Sequence, residues 1–243
     1  MIDRGIRQSL KDRLYPEAGK DIHDLIYGAL DAHLRPGTRV LNAGCGHGSP
    51  LLASYRDKIS RLVGIDVELT EDRQVSNDLL VADVARIPLR DNSFDLVFCW
   101  DVVEHLAQPR TVFSEFRRVL ADDGVLIART PSILSPLMLA SRLLPTSIHK
   151  KFKSRLLGSH EHDVFPTFYR SNTPGSLHRD LTSAGFQRET MTRFDRTYDQ
   201  YWAFSRPTYA LALLYSRALK TFPPGKAFMA TIFAVYRKKP ILK

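Results

Sequence analysis

Short apolar runs and helix-spaced apolar faces alternate along most of this chain. Val40-Leu41, Leu62-Val63-Gly64-Ile65 and Leu79-Leu80-Val81-Ala82 are brief runs, and Phe94-Asp95-Leu96-Val97-Phe98-Cys99 is a longer one. Near-continuous runs of this kind suit strands covered on both faces, as in a parallel sheet. Within 21–30, Ile22, Leu25, Ile26, Ala29 and Leu30 share a helical face that Arg35-Pro36-Gly37 ends. Within 111–120, Val112, Phe113, Phe116, Val119 and Leu120 do the same, and Asp122-Asp123-Gly124 breaks the run. Val125 to Ala128 then reads as a fifth strand, Thr173 to Leu181 as a further helix, and Ala184-Gly185-Phe186 as a helix end opening a sixth strand. Phe228 to Tyr236 reads as the last strand, and the short polar stretch Glu68 to Asn77 leaves room only for an abbreviated helix. The alternation predicts an α/β protein.

The junction after the first strand carries the candidate chemistry. Val40-Leu41-Asn42-Ala43 breaks into Gly44-Cys45-Gly46-His47-Gly48, with glycines at alternate positions. Glycines let the backbone turn tightly and approach a ligand where a Cβ would collide. Ser49-Pro50 follows, a helix N-cap residue type and a proline at the first helical position, so a helix start should aim amide donors toward the turn. The second strand ends in Asp66, 22 residues beyond Gly44, where an acid that holds ribose hydroxyls should fall. A dinucleotide fingerprint would need its third glycine at position 49, which is Ser49; here that glycine is Gly48.

Taken in order, Val40 to Gly48, Gly64-Ile65-Asp66, Ala82-Asp83-Val84 with Ile87-Pro88-Leu89, and Phe94 to Leu106 make the chain resemble a class I S-adenosylmethionine (SAM)-dependent methyltransferase. It is most similar to the small-molecule branch that includes quinone-biosynthesis enzymes. The resemblance is strong over 36–130. It implies a Rossmann-like, seven-stranded, mostly parallel sheet with an antiparallel last strand, helices on both faces and helical cap insertions. It further implies one domain over 1–243: an N-terminal helical cap (1–35), the SAM-binding core (36–130), and substrate-cap insertions at 131–172 and 197–226. SAM is the implied cofactor. Its site would use Asn42, Gly44, Cys45, Gly46, Gly48, Asp66, Val67, Asp83, Val84, Cys99, Trp100 and Asp101, with Asp83 at the adenine amino group and Cys99, Trp100 and Asp101 on the methyl-donor side. If the acceptor is a hydroxyl, a base must take its proton, and His105 and His162 are the candidates because imidazole titrates near neutral pH. Asn42 stands where the family usually has an acid.

Composition sharpens this picture at the C-terminal side. Residues 1–35 are neutral overall and 36–130 carry three net negative charges, whereas 131–243 hold 18 basic and 6 acidic residues and so supply the whole excess of +9. That asymmetry points to an anionic partner. The segment Ile148 to Leu157 is basic with apolar residues at helical spacing, a pattern for an interfacial helix on anionic lipid or for a lid with a solvated basic face. The aromatic-rich 197–226 stretch reads as a substrate cap, a membrane-interface belt or an oligomer contact. His160-Glu161-His162-Asp163 does not supply a closed metal shell, so no metal is expected. Cys45 and Cys99 are the only cysteines and read as reduced thiols. The N-terminus lacks an apolar run of signal-peptide length, so a cytoplasmic location, peripheral at the inner membrane face, is expected. The partners expected are a small-molecule or lipid-linked acceptor and an anionic membrane surface. A nucleic-acid methyltransferase is disfavoured, since Cys99-Trp100-Asp101-Val102 is no base-flipping tetrad. Asn42 is the sole support for a non-catalytic binding protein.

Overall fold

The computed structural model describes residues 2–18, 20–46, 48–68, 78–136, 138–139 and 165–240. Its backbone divides into two compact units: one of Tyr27–Thr130, Thr167–Thr192 and Phe233–Lys243, the other of Met1–Ile26, Pro131–Pro166 and Arg193–Ile232.

The first unit carries most of a seven-stranded sheet with the order β3-β2-β1-β4-β5-β7-β6. The strands are β1 (Thr38–Ala43), β2 (Ile59–Asp66), β3 (Asp78–Val81), β4 (Phe94–Trp100), β5 (Leu120–Pro131), β6 (Phe186–Phe194) and β7 (Thr231–Lys238). The first five pair in parallel, and the last strand runs antiparallel, as expected of this architecture. β1 has β2 on one side and β4 on the other, with Asn42 opposite Gly64 and Phe98. The connections therefore diverge at β1 and β4, and a crevice at such a switch point is where open α/β sheets bind ligands.

The apolar runs supply the core directly. Leu41, Leu62, Leu96, Val97, Phe98 and Leu126 are fully buried. Each large side chain moved from water contributes about 1.5–3 kcal/mol before conformational entropy is counted. Helix α1 (Arg4–Leu14) is capped by the Asp3 side chain, and α2 (Lys20–His33) follows it. The helix after the glycine turn, α3, is a single turn (Pro50–Ala53) that starts where the sequence places it, capped by Ser49 with Pro50 in its first turn. Helix α4 (Pro109–Val119) buries Val112, Phe113, Phe116 and Val119 as the periodicity requires. Its end differs from expectation: β5 begins at Leu120, ahead of the Asp122-Asp123-Gly124 signal. Leu120 is paired opposite Phe94 before the register shifts, so strand pairing captures the residue that helical periodicity assigned to α4. Helix α5 (Pro174–Ser183) opens with a Thr173–Ser176 capping box, and Gly185 at φ +89° turns the chain into β6.

The second unit is built from α1, α6 (Thr197–Tyr201), α7 (Arg206–Thr221) and a 3-10 turn over Pro223–Phe228. Its core is Tyr15, Tyr198, Ala203, Tyr209, Ala212 and Leu213. Tyr15 meets Tyr198 edge-on at 6.3 Å, so it is a packing residue. Lys11 Nζ donates to Asp199 Oδ2 at 2.8 Å, and Tyr209 Oη donates to Asp199 Oδ1 at 2.7 Å. The 197–226 stretch thus packs on the N-terminal helix. No helix among the described residues is long and apolar enough to cross a membrane.

Candidate active site

The glycine turn forms at the carboxyl end of β1. Gly44, Gly46 and Gly48 have φ of +71°, +45° and +95°. A Cβ on Gly44 would stand 2.2 Å from Val102 Cγ2, so this glycine is required by packing as well as by backbone conformation. Gly46 is different: a Cβ there would meet nothing within 4 Å, which leaves open space beside the turn. The Gly44 and Cys45 amides donate to Ile65 O at 2.8 and 3.0 Å, and the Gly48 amide to Cys45 O at 2.7 Å. These bonds tie the turn to the end of β2. There Asp66 Oδ2 accepts from the Gly46 amide at 2.7 Å, and Oδ1 lies 3.4 Å from the Glu68 amide. The carboxylate therefore both braces the turn and, being only half-buried, keeps acceptor capacity toward solvent.

Asn42 is buried at the end of β1, and Val67 is exposed just beyond Asp66. The chain after β3 is tied back by the Ala82 amide donating to Asp66 O at 2.9 Å. This places Asp83 on the surface, its Oδ1 accepting from the Ala85 amide at 2.8 Å, while Val84 is buried.

The exit of β4 is made of side chains. Cys99 is fully buried, and burial pushes its thiol well above the ordinary range, so this position can offer a ligand only its main chain. Trp100 stacks on Phe98 at 5.1 Å, and the Arg129 guanidinium lies 5.0 Å above the Trp100 ring. Asp101 adopts φ +55°, unusual for a residue with a Cβ, and its amide donates to Arg129 O at 2.9 Å. Arg129 Nη2 stands 3.3 Å from Asp101 Oδ2, while Arg129 Nε is buried with no hydrogen-bond partner. Burial raises the Asp101 pKa, against the opposing pull of Arg129 and His105.

Glu104 lies beneath this group in a 3-10 turn, Val103–His105. Its Oε2 accepts from Thr130 Oγ1 at 2.9 Å, and that hydroxyl accepts from Asn172 Nδ2 at 2.6 Å. The Glu104 carbonyl accepts the Phe168 and Tyr169 amides at 2.8 and 3.1 Å. One residue thereby joins the ends of β4 and β5 to the segment before α5. Burial, then the neighbouring Asp101 charge, pushes the Glu104 carboxyl up to about 7.

The fold thus gathers Asn42, Gly44, Cys45, Gly46, Gly48, Asp66 and Asp101 at the carboxyl edge of adjacent strands. His105 lies near Asp101, its amide donating to Val102 O at 2.9 Å. His47, the 69–77 stretch, the basic 148–157 segment and the His160 to Asp163 cluster, including His162, lie outside the described residues. Among the described residues no group of side chains is set to hold a metal. Sequence reading passed over Arg129, Thr130 and Asn172. A signal for the first two existed, since the residues ending β5 must emerge beside those ending β4.

Residues 41–128 match the family described as a methyltransferase domain. Over that segment the chain is similar to methyltransferase domains in sequence, and its sheet has the fold of solved methyltransferase structures. Over 117 residues the chain is 36% identical to a probable SAM-dependent methyltransferase of Mycolicibacterium smegmatis, covering 45% of this chain and 44% of that one. Over 116 residues it is 27% identical to the malonyl-[acyl-carrier protein] O-methyltransferase of Serratia marcescens, covering 46% and 44%. The chain spans less than half the length of these curated relatives. Among solved structures, a putative methyltransferase from Bacillus halodurans is similar with a TM-score of 0.56 and 18% identity, over 90% of this chain and 100% of that one.

Proposed function

We propose that the protein is a SAM-dependent methyltransferase that methylates a hydroxyl oxygen of a small or lipid-linked acceptor. The observation that carries this reading is the Asp66 carboxylate bracing the Gly46 amide at 2.7 Å beside open space that a side chain at position 46 would enter. A half-buried carboxylate beside open space suits a ribose diol, whose hydroxyls donate to the acid. In this reading Asn42 and the main chain of Gly44 to Gly48 hold the amino-acid end of SAM, Asp66 the ribose, and Val67, Asp83 and Val84 the adenine, with Asp101 and the main chain of Cys99 and Trp100 closing the remaining side. Bound SAM supplies a methyl group already activated on a sulfonium. The residues therefore have to align the acceptor and keep water out. His105 takes the hydroxyl proton, and the oxygen-directed Serratia relative supports an oxygen acceptor.

The test is isothermal titration with SAM, followed by transfer of labelled methyl into polar and lipid extracts with mass spectrometry of the product. Heat of binding together with a labelled hydroxyl product is expected. Absence of binding heat sinks the cofactor reading, while binding without any labelled product leaves a binding protein and sinks the transfer reading.

A further inference from the structure

Helix α7 is apolar on two sides. Its inner face buries Tyr209, Ala212 and Leu213, leaving the opposite side to solvent. A helix with one buried face normally turns polar residues outward. Here the outward stripe is Pro207, Leu211, Leu214, Tyr215, Ala218 and Phe222, all exposed and all at helical spacing. Leu211 is 69% and Phe222 64% exposed. Single exposed apolar side chains are ordinary, but a continuous stripe marks an interaction surface. Phe204 and Phe228 extend it at either end. Arg206 at its start and Lys226 just beyond its end are exposed cations, and the sequence has no Asp or Glu after Asp199.

We propose that α7 and the 3-10 turn after it seat on an anionic phospholipid surface, the apolar stripe entering the headgroup boundary and the basic residues meeting lipid phosphates. A helix of 16 residues, about 24 Å long, is too short to span a bilayer, so it lies in the interface plane. A second copy of the chain fits poorly, because pairing this face with itself would bring Arg206 and Lys226 of each protomer against like charges with no acidic residue after Asp199 to offset them. The proposal goes beyond methyl transfer and holds whatever the acceptor is.

The experiment is co-sedimentation of the whole chain with vesicles of phosphatidylcholine alone, or of phosphatidylcholine and phosphatidylglycerol in a two-to-one mixture, at low and high salt. Binding to the mixed vesicles, weakened by salt and at least about tenfold poorer to neutral ones, is expected. Leu211→Gln with Leu214→Gln should weaken binding about tenfold by removing inserted apolar surface. Arg206→Glu with Lys226→Glu should weaken it as much, and all four positions are exposed, so circular dichroism should match the parent. If the leucine pair unfolds, the charge pair decides. Equal binding to neutral vesicles, parent-like binding by a folded charge variant, or a parent dimer that the leucine changes dissociate would each overturn the proposal.

Discussion

The two halves of the strand-edge site are built by opposite means. At the ends of β1 and β2 the work falls to main chain: glycines at positive φ and amides tied to Ile65 O, with Asp66 as the main charged partner. At the ends of β4 and β5 it falls to side chains, with Asp101, Glu104, Arg129 and Trp100 crowded together and two carboxyls pushed upward by burial. A main-chain site is fixed once the turn folds. A side-chain cluster instead depends on which protons are bound, so it can couple to a reaction that moves one.

The contrast is sharpest at Gly44 and Gly46. Gly44→Ala should cost about 2–4 kcal/mol in urea unfolding, since a Cβ 2.2 Å from Val102 Cγ2 adds overpacking to left-handed strain. Gly46→Ala should cost only about 1 kcal/mol of stability yet lower SAM affinity at least about tenfold, because its Cβ enters open space. If both variants lose stability equally, the turn is scaffolding and nothing more.

Glu104 gives the next effect. Its folded pKa of about 7 exceeds the ordinary value of 4.5, so the folded state holds the extra proton. Below about pH 4.5 folded and unfolded chains are both protonated and nothing is lost; between there and about 7 stability falls as pH rises, by about 3 kcal/mol in total. Glu104→Gln should remove that slope, raising the melting temperature at pH 8 and leaving it unchanged at pH 4. A variant that melts with the parent's pH slope would show that some other group titrates.

Asp66→Asn should raise the dissociation constant for SAM about tenfold, roughly 1.4 kcal/mol, while the fold persists. The smallest effect should come from Arg39→Ala. The Arg39–Asp95 pair at 2.7 Å is about 40% exposed and lies at the opposite end of the strands, so a loss under about 1 kcal/mol with unchanged SAM binding is expected. A larger fall in binding would mean that the strand edge is not a local site.

Much of the site was legible because its signals are local. An apolar run followed by glycines, and an acid ending the next run, define the β1 and β2 edge without knowledge of any distant contact. What eluded sequence reading depends on residues far apart in the chain. Thr130 and Asn172 bear no mark of the proton-sensitive residue they hold, Thr130 lying 26 residues from Glu104 and Asn172 a further 42 along the chain. The early start of β5 was missed for a related reason: breaker residues state where a helix can end, while pairing of Leu120 with Phe94 states where it must.

The sequence by itself determined the alternation of strands and helices, the order of the site motifs and the basic bias of the C-terminal part, all of which rest on spacing and composition. Tertiary structure alone decided that Cys99 is sealed in the core, that α1 packs with α6 and α7, and that the outer side of α7 is a bare apolar stripe. Periodicity reports that a side chain is apolar, but burial depends on which neighbour arrives to cover it. For α7 both faces carry the same apolar signal, and only one of them has been covered.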